Sequence, residues 1–479
     1  MKRRYEQRKE EKYLHGYAQY NEHCEKIWGL SESTFERGEF QRDRERIVNS
    51  KAFRRMVDKA QIFTSAKGDH YRTRMTHTME VAQIARSISN SLGLNIDLTE
   101  AIALGHDLGH TPFGHQGERT LHDILAGNID VGLPDMAGKN VYGGFKHNVQ
   151  SVRTINCLEE KYAEHEGLDV SYQVLEGILK HTKFRQRNCS GCTAEKCSMA
   201  CCDLHVFLGK GEIEYLYTEY PFSTTLEGQV VAIADEIAQR SHDVDDAMSA
   251  GLLTFDELQD FLINHQMIPL WSIMEKSFQK LQSSGRTYVS ERHILCARVI
   301  SDIINYLVND VLKEARNRIE KFEENELYKT QHRFSEQLIG FSEEGNVICD
   351  LLERMVSAKV IGSSEVSRFD YTASQTIETL FKIYYSHPKL LNENTLKKAY
   401  IDMQEKTGCA INFAEDDPQR VNEELNAITQ SIVSSDYSCG SKNQQMLWTK
   451  HVILVRAITD YIAGMTDSYA QNEYKALKR

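Results

Sequence analysis

Four residues of the types that bind divalent metals stand at the ends of apolar segments. They are His77, the adjacent His106 and Asp107, and Asp235. Two imidazoles and two carboxylates provide the mixed nitrogen and oxygen donors that suit a divalent ion. A single histidine on an apolar face is usually a satisfied core residue, but four such donors at the inner ends of buried segments are not explained that way. We predict a site for Mg²⁺, Mn²⁺ or another divalent transition metal.

A second group of polar residues lies in the segment GHDLGHTPFGHQGE, residues 105–118. His110 comes three residues after Asp107 and can share its face. A proline and a glycine then break the helix, and the break turns His115 toward the mouth of a pocket. A carboxylate such as Glu118 within reach of a histidine orients the ring and raises its basicity, which makes an acid–base unit. Taken alone, the segment suits structural histidines equally well.

Apolar periodicity predicts the helix that positions the first of these groups. It begins near Thr76 and stops at Gly93, because glycine readily takes the left-handed conformation that ends a helix. Val81 and the apolar positions after it recur at helical spacing, and His77 lies one turn before Val81 on the same inward face.

A second helix is predicted to begin at Asp97, with Glu100 three residues later as in a capping box. It is apolar nearly all round, so it should be buried. Neighbouring helical residues point roughly 100° apart, so His106 and Asp107 reach one ion only near the helix end or in a cleft. A buried Asp107 is costly unless it is paired or bound to a metal. The apolar run around Asp235 predicts a third buried helix.

The chain as a whole is predicted to be all-α. It has 479 residues but only 6 prolines, and long stretches pair Leu, Ile and Ala with Glu, Lys and Arg. We expect a helical core over residues 1–310, interrupted by a Cys-rich inserted loop at about 183–220. Residues 311–479 are predicted to form a helical C-terminal region.

Charge and hydropathy limit the classes of partner. The net charge of −12 argues against broad coating by nucleic acid, which is not indicated. Residues 42–74 nevertheless carry ten Lys and Arg against four Asp and Glu, which suits a small anionic ligand or simply a solvated helix face. No apolar run reaches the roughly 18 residues that span a bilayer, and the basic N-terminus lacks the apolar stretch of a secretory signal. We expect a cytoplasmic protein without membrane contact.

Five of the eleven cysteines fall within residues 189–202. The first two have the spacing of half a zinc knuckle, and four thiolates this close could hold structural Zn²⁺ or an iron–sulfur cluster. Free or redox-active thiols remain an alternative, and disulfides are a weaker one in a cytosolic chain. The candidate structural metal ligands are Cys189, Cys192, Cys197 and Cys201.

The order His, His-Asp, Asp is the pattern of the HD phosphohydrolase superfamily, and the fuller pattern resembles the deoxyguanosine triphosphate triphosphohydrolases. HD alone is a weak signal, but HDLGHTPFGHQGE with THT upstream and IADEIA downstream is a strong one. The resemblance covers about residues 41–250. The stretches that carry it are RDRERIVNSKAFRRMVDKAQIF, GDHYRTRMTHTMEVAQIARSI, LTEAIALGHDLGHTPFGHQGE, GGFKHNVQS, VLEGILKHT and TLEGQVVAIADEIAQRSHDVDD.

The resemblance also assigns roles to individual residues. It makes His115 the catalytic histidine near the leaving 5′ oxygen, with Glu118 as its partner, and it places His110 near the phosphates. Arg74 matches a phosphate-binding arginine, which a bidentate guanidinium suits. The remaining assignments are Gln61 and Asp243 for the sugar 3′-hydroxyl, His147 for a further polar contact, and His77, His106, Asp107 and Asp235 for the metal.

One position departs from the family pattern. Relatives commonly carry a tyrosine four residues after the last metal-binding Asp, where it packs on the sugar and helps to exclude a 2′-hydroxyl. This chain has Gln239 there. Discrimination between deoxyribose and ribose is therefore weakened or depends on another residue.

The resemblance implies metal-dependent hydrolysis of deoxynucleoside triphosphates to deoxynucleoside and tripolyphosphate. An HD-type nucleotidase or phosphodiesterase, or a non-catalytic nucleotide sensor, are the alternatives, and product analysis separates them. By resemblance we also expect a homo-oligomer and allow for a nucleotide activator at a second site.

Overall fold

A computed structural model of the protein describes residues 10, 12–29, 37–61, 72–133, 142, 144–182, 220–283, 291–361, 364–407 and 442–478. Within these ranges the chain is all-α, as predicted, and contains no strand beyond two isolated bridges. None of the described helices is both long and apolar enough to cross a membrane. The helices are α1 (Glu39–Val48), α2 (Lys51–Arg55), α3 (Arg74–Leu92), α4 (Ile96–Gly105), α5 (Gly114–Ala126), α6 (His147–Arg153), α7 (Tyr172–Leu179), α8 (Leu226–Ser249), α9 (Phe255–Asn264), α10 (Ile268–Ser283), α11 (Glu291–Lys321), α12 (Glu326–Gln331), α13 (Glu343–Val356), α14 (Ser364–Ser386), α15 (Glu393–Thr407), α16 (Lys442–Ala463) and α17 (Asp467–Leu477).

The two ends of α3 are fixed by local sequence. Thr73 caps the N-terminus, and it exchanges hydrogen bonds with Thr76 in a capping box. Gly93 ends the helix in the left-handed conformation, with φ of 68°. The predicted stop at Gly93 is therefore confirmed, and His77 lies in the first turn on the buried face.

The start of α4 differs from the prediction. Its N-cap is Asn95, whose side chain accepts from the backbone N–H of Leu98 at 3.2 Å. Asp97, which the sequence suggested as the cap, lies inside the first turn. Its carboxylate accepts from Arg44 at 2.6 Å, and Glu100 binds the same guanidinium at 2.5 Å. Asp97 and Glu100, which would have formed the capping box, are thus paired with Arg44 of α1.

The helices α3, α4 and α8 pack on one another to form the main core. Their contact is lined by apolar side chains that are fully buried, such as Val81, Ile102 and Val230. The helix α8 is 24 residues long and is capped by Thr225, which accepts from the N–H of Gly228 at 3.1 Å. Burial on this scale explains the apolar positions that recur along all three helices, and why α4 is apolar nearly all round.

A second apolar cluster joins α5 to the C-terminal helices. Leu121 of α5 packs with Phe381 of α14 and Ile458 of α16 in this cluster, and all three are fully buried. The sequence placed a boundary between core and C-terminal region at residue 310, a position that α11 runs through. That division stays a prediction.

The turn between α16 and α17 contacts the segment that carries the polar motif. The carboxylate of Asp467 accepts from the backbone N–H of Phe113 at 2.8 Å and from that of Ala60 at 3.0 Å. Phe113 has a φ of 63°, which is unusual for a bulky residue and needs external support. The C-terminal helices therefore hold the strained residue from which α5 begins.

Replacing Asp467 with Ala should lower the urea midpoint of unfolding, measured by far-UV circular dichroism. The change leaves two buried N–H groups unpaired, at a cost of about 1–3 kcal/mol for a group of this kind. Asp467→Asn keeps a carbonyl acceptor, so its urea midpoint should lie between those of wild type and Asp467→Ala. Ser468→Ala removes only an exposed hydrogen bond to Asp58 and serves as the control. A midpoint for Asp467→Ala equal to that of Ser468→Ala would contradict the assignment.

Candidate active site

The four predicted metal ligands lie together where three helices meet. His77 is in the first turn of α3, His106 and Asp107 directly follow α4, and Asp235 is in α8. Nε2 of His77 lies 3.1 Å from Oδ1 of Asp235 and 3.8 Å from Oδ2 of Asp107. Nε2 of His106 lies 3.4 Å from Oδ1 of Asp107 and 3.7 Å from Oδ1 of Asp235. Because His106 and Asp107 lie past the last turn of α4, both side chains reach the same point.

His106 carries a buried nitrogen that is left unsatisfied. Its Nδ1 lies 2.7 Å from the carbonyl oxygen of Ala103, so Nδ1 holds the proton and donates it. Nε2 then has a lone pair, and it finds no hydrogen-bond partner in the part of the chain that the structure describes. A buried acceptor without a partner is unfavourable. The donor atoms of His77, His106 and Asp107 all lie within 4.8 Å of one another, so a shared cation would satisfy this lone pair.

The guanidinium of Arg74 is buried beside this cluster. Its Nη1 donates to Oδ2 of Asp107 at 2.6 Å, while Nε and Nη2 have no partner among the described residues. Burial alone would raise the pKa of Asp107, but the electrostatic interactions with His106, His110 and Arg74 outweigh burial and hold that pKa well below its usual range. Asp107 is thus ionised, and Arg74 still has two donors for an anion.

Asp235 is ionised for a related reason. Burial alone would raise the pKa of its carboxyl group, but the hydrogen bond to His77 and the electrostatic interaction with His106 outweigh burial and lower it. The cluster therefore offers two carboxylates and two imidazoles in one place.

A second polar group is centred on Glu118 of α5. Its Oε2 lies 2.9 Å from Nδ1 of His147 and 3.8 Å from Nδ1 of His115. Nε2 of His147 lies 3.2 Å from Nε2 of His181, whose Nδ1 donates to the carbonyl of Ile178 at 2.6 Å. Since Nε2 of His181 is then the acceptor, His147 donates from both nitrogens and is an imidazolium. Burial alone would lower the pKa of His147, but the charge of Glu118 raises it.

His115 and His110 complete this group at different depths. His115 is 47% exposed, while Glu118 is buried, so His115 is the member that faces solvent. His110 is buried and stacks on His147 with ring centroids 3.9 Å apart. Its Nε2 lies 3.1 Å from Oδ1 of Asp107. His110 therefore links the metal-ligand cluster to the acid–base group, and the predicted catalytic residues are neighbours in space.

The residues predicted to hold the sugar are less closely tied to the cluster. Gln61 has a buried Oε1 with no partner in the described ranges. A Cβ at Gly114 would lie 3.0 Å from the carbonyl oxygen of Gln61, so Gln61 lies against the start of α5. Asp243 lies two turns beyond Asp235 on α8, and burial raises its pKa to about 7. Gln239 is half-buried on the same helix. Their roles stay predictions.

Two features of the site were missed from sequence. His242 lies with its Nδ1 3.2 Å from Nδ1 of His77, and its other ring nitrogen contacts the carboxylate of Glu80. Seven residues separate His242 from Asp235, which is two helical turns, so this spacing could have revealed it. Lys59 donates to the carbonyl oxygens of His110 and, at 2.9 Å, of Ala463. No local pattern signals that contact.

The predicted Cys-rich insert at about 183–220 lies outside the described residues except for its last residue, Tyr220. The candidate structural metal ligands Cys189, Cys192, Cys197 and Cys201 lie outside them as well. A structural metal there stays a prediction.

Comparison with known proteins places this geometry in context. The chain matches the HD domain family over residues 74–240 and the phosphohydrolase-associated domain family over residues 441–476. It is 36% identical over 370 residues to a deoxyguanosinetriphosphate triphosphohydrolase-like protein of Ralstonia pickettii, covering 77% of this chain and 82% of the relative. Proteins with the same name from Azoarcus sp. and Rhizobium johnstonii are 33% and 36% identical, and each alignment covers 92% of this chain and 90% or 89% of the relative.

The stability that Lys59 contributes should rise with pH. Burial lowers the pKa of Lys59 from 10.5 to about 7. Between these values the unfolded chain binds the extra proton, so raising the pH favours the folded state, by at most about 1.4 kcal/mol per pH unit. The stability advantage of wild type over Lys59→Met should therefore be larger at pH 9 than at pH 7 in urea unfolding.

Lys51→Met, at an exposed position on α2, controls for loss of a lysine. An advantage over Lys59→Met that stays constant or shrinks as the pH rises would contradict the expectation for Lys59.

Proposed function

This chain belongs to the deoxyguanosinetriphosphate triphosphohydrolase-like family of HD-domain proteins, and from that premise we propose that it hydrolyses deoxynucleoside triphosphates to deoxynucleoside and tripolyphosphate. The observation that carries the proposal is the buried Arg74, with two unpaired nitrogens, beside the cluster of two histidines and two aspartates. A buried cation with spare donors favours a bound anion, and bidentate binding of phosphate is a property of arginine.

A divalent metal fits the cluster as its residues stand. His106 presents an orphaned lone pair, and Asp107 and Asp235 are ionised at neutral pH. His77, His106, Asp107 and Asp235 would hold the ion, and Mg²⁺ or Mn²⁺ would accept this donor set. When bound, the ion supplies a Lewis acid that polarises phosphate oxygen and activates water.

The chain's own residues then act on the triphosphate. Arg74 binds a phosphate oxygen and offsets the charge that builds up at phosphorus. Water attacks the α-phosphorus, a new P–O bond forms, and the bond from phosphorus to the 5′ oxygen breaks. His115 gives its proton to the departing 5′ oxygen, while Glu118 orients the ring. The three phosphates leave together as tripolyphosphate, and the nucleoside leaves with its 5′-hydroxyl.

The site also supports roles for the remaining predicted residues. His147, as a buried imidazolium, adds positive charge beside His110 near the phosphates. Gln61 and Asp243 are proposed to bind the 3′-hydroxyl of the sugar. A homo-oligomer and a nucleotide activator rest on the resemblance alone, and a cytoplasmic location rests on the sequence pattern; all three stay predictions.

The reaction is tested by incubating the protein with each deoxynucleoside triphosphate and with GTP, singly and as mixtures, with Mg²⁺ or Mn²⁺. Ion-exchange chromatography should show deoxynucleoside and tripolyphosphate, and Asp107→Ala should form neither. Asp97→Ala, at the surface end of the helix that leads to Asp107, should retain activity.

The other outcomes are equally informative. Activity in mixtures alone would indicate an activator, and cleavage of GTP at the rate of dGTP would show that Gln239 has loosened sugar discrimination. Diphosphate or monophosphate products would replace the proposal with a nucleotidase, and binding without products would replace it with a sensor.

His115→Gln should lower kcat by roughly 10²–10⁴-fold while KM changes little, because a general acid acts mainly in the transition state. His265→Gln, at an exposed position at the end of α9, is the matched control. Steady-state release of tripolyphosphate measures both. A His115→Gln enzyme with the kcat of the control would remove His115 from the proton-transfer step.

A further inference from the structure

A chain of three side chains leads from the metal-ligand cluster to the surface. Nδ1 of His77 lies 3.2 Å from Nδ1 of His242. The Nε2 atom of His242 contacts the carboxylate of Glu80, whose side chain is 46% exposed. His77 and Glu80 lie three residues apart on α3, whereas His242 comes from α8. The contact therefore ties together two of the helices that supply metal ligands.

A cation bound at Nε2 of His77 would require one placement of protons along these three side chains, because a ring nitrogen binds a metal through its lone pair. The carboxylate of Glu80 needs a donor, so Nε2 of His242 carries the proton. In the neutral ring of His242, Nδ1 then has a lone pair and can accept from Nδ1 of His77, 3.2 Å away. Nδ1 of His77 then carries the proton and donates it to His242. Nε2 of His77, which faces Asp235 and Asp107, can then exchange its hydrogen bond to Asp235 for a bond to the cation. The opposite placement would set a lone pair of His242 against the carboxylate of Glu80.

Glu80 is itself held in place for this contact. Nε of Arg72 lies 3.2 Å from Oε2 of Glu80, while the other nitrogens of Arg72 bind Asp245 at 3.0 Å and Asp246 at 3.2 Å. This network spans the segment before α3 and the end of α8. It keeps the acceptor in position although Glu80 is partly exposed.

We propose that His242 and Glu80 are positioning residues that fix the Nδ1-protonated tautomer of His77, so that Nε2 of His77 is preorganised to bind a divalent cation. The inference rests on the proposed function, since it assumes that the cluster binds a metal. A partner of this kind on the second nitrogen of a metal-binding histidine typically changes metal affinity by about 10–100-fold. A purely packing role for His242 would instead change stability and leave affinity unaltered.

The test measures Mn²⁺ binding to the full-length protein, stripped of metal, from the electron paramagnetic resonance signal of free Mn²⁺. His242→Phe keeps a ring but removes the acceptor, and it should weaken Mn²⁺ binding about 10–100-fold. His242→Asn places a carbonyl oxygen near the position of Nδ1 and should restore most of the affinity. Glu80→Gln should give a smaller loss of affinity. Asp245→Asn removes a carboxylate that pairs with Arg72 but does not contact His242, so this variant should bind Mn²⁺ with wild-type affinity.

Thermal unfolding without metal, run on every variant, separates folding from binding. Because Glu80 is partly exposed, Glu80→Gln should fold, and its Mn²⁺ affinity tests the inference even if His242→Phe fails to fold. Wild-type affinity in both His242→Phe and Glu80→Gln would overturn the inference and leave the proposed function intact. An affinity for His242→Asn as low as that for His242→Phe would likewise reduce His242 to a packing role. A wild-type protein that binds no Mn²⁺ would overturn both the inference and the proposed function.

Discussion

The ion pair between Arg74 and Asp107 is the interaction on which the rest of the site depends. Both side chains are almost fully buried, and Nη1 of Arg74 donates to Asp107 at 2.6 Å. Burying either charge alone would be very unfavourable. Their pairing lets two charges remain inside an apolar helical core, yet it uses one nitrogen of the guanidinium. Because two nitrogens of Arg74 remain unpaired, the folded protein is left with a local preference for an anion at this point.

This arrangement requires a well-fixed backbone between α4 and α5, where there is no helix to hold it. The hydroxyl of Ser151 donates to the carbonyl of His106 at 2.7 Å and accepts from the N–H of Gly109 at 2.8 Å. A Cβ at Gly109 would lie 2.1 Å from the backbone nitrogen of Ser151, so only glycine allows α6 to approach this closely. Lys59 satisfies the carbonyl of His110. Ser151 of α6 and Lys59 thus hold backbone groups of this turn from elements outside it.

The sequence was most informative where one helix decides the outcome. The first turn of α3 around His77, its end at Gly93, and the convergence of the motif residues followed from periodicity, spacing and resemblance. The N-cap of α4 was placed two residues late, at Asp97 instead of Asn95, because Asn and Asp are comparable N-caps and the carboxylate of Asp97 is taken by Arg44 of another helix. His242 was missed although its spacing of two helical turns after Asp235 could have revealed it. Lys59 was missed because its partners lie on elements distant in the chain, and no local pattern encodes such a contact.

The C-terminal helices show why the two matched families occur in one chain. The segment 441–476 matches the phosphohydrolase-associated domain, and it supplies Asp467 to the N–H of Phe113 and the carbonyl of Ala463 to Lys59. The first contact holds the N-cap of α5, and the second holds the lysine that donates to the carbonyl of His110 in the turn before α5. A helical bundle ending before α16 would leave Phe113 in a left-handed conformation without its acceptor. His115 lies only two residues beyond Phe113, so the direction of its side chain is set as much by the C-terminal helices as by the core that carries the proposed metal ligands.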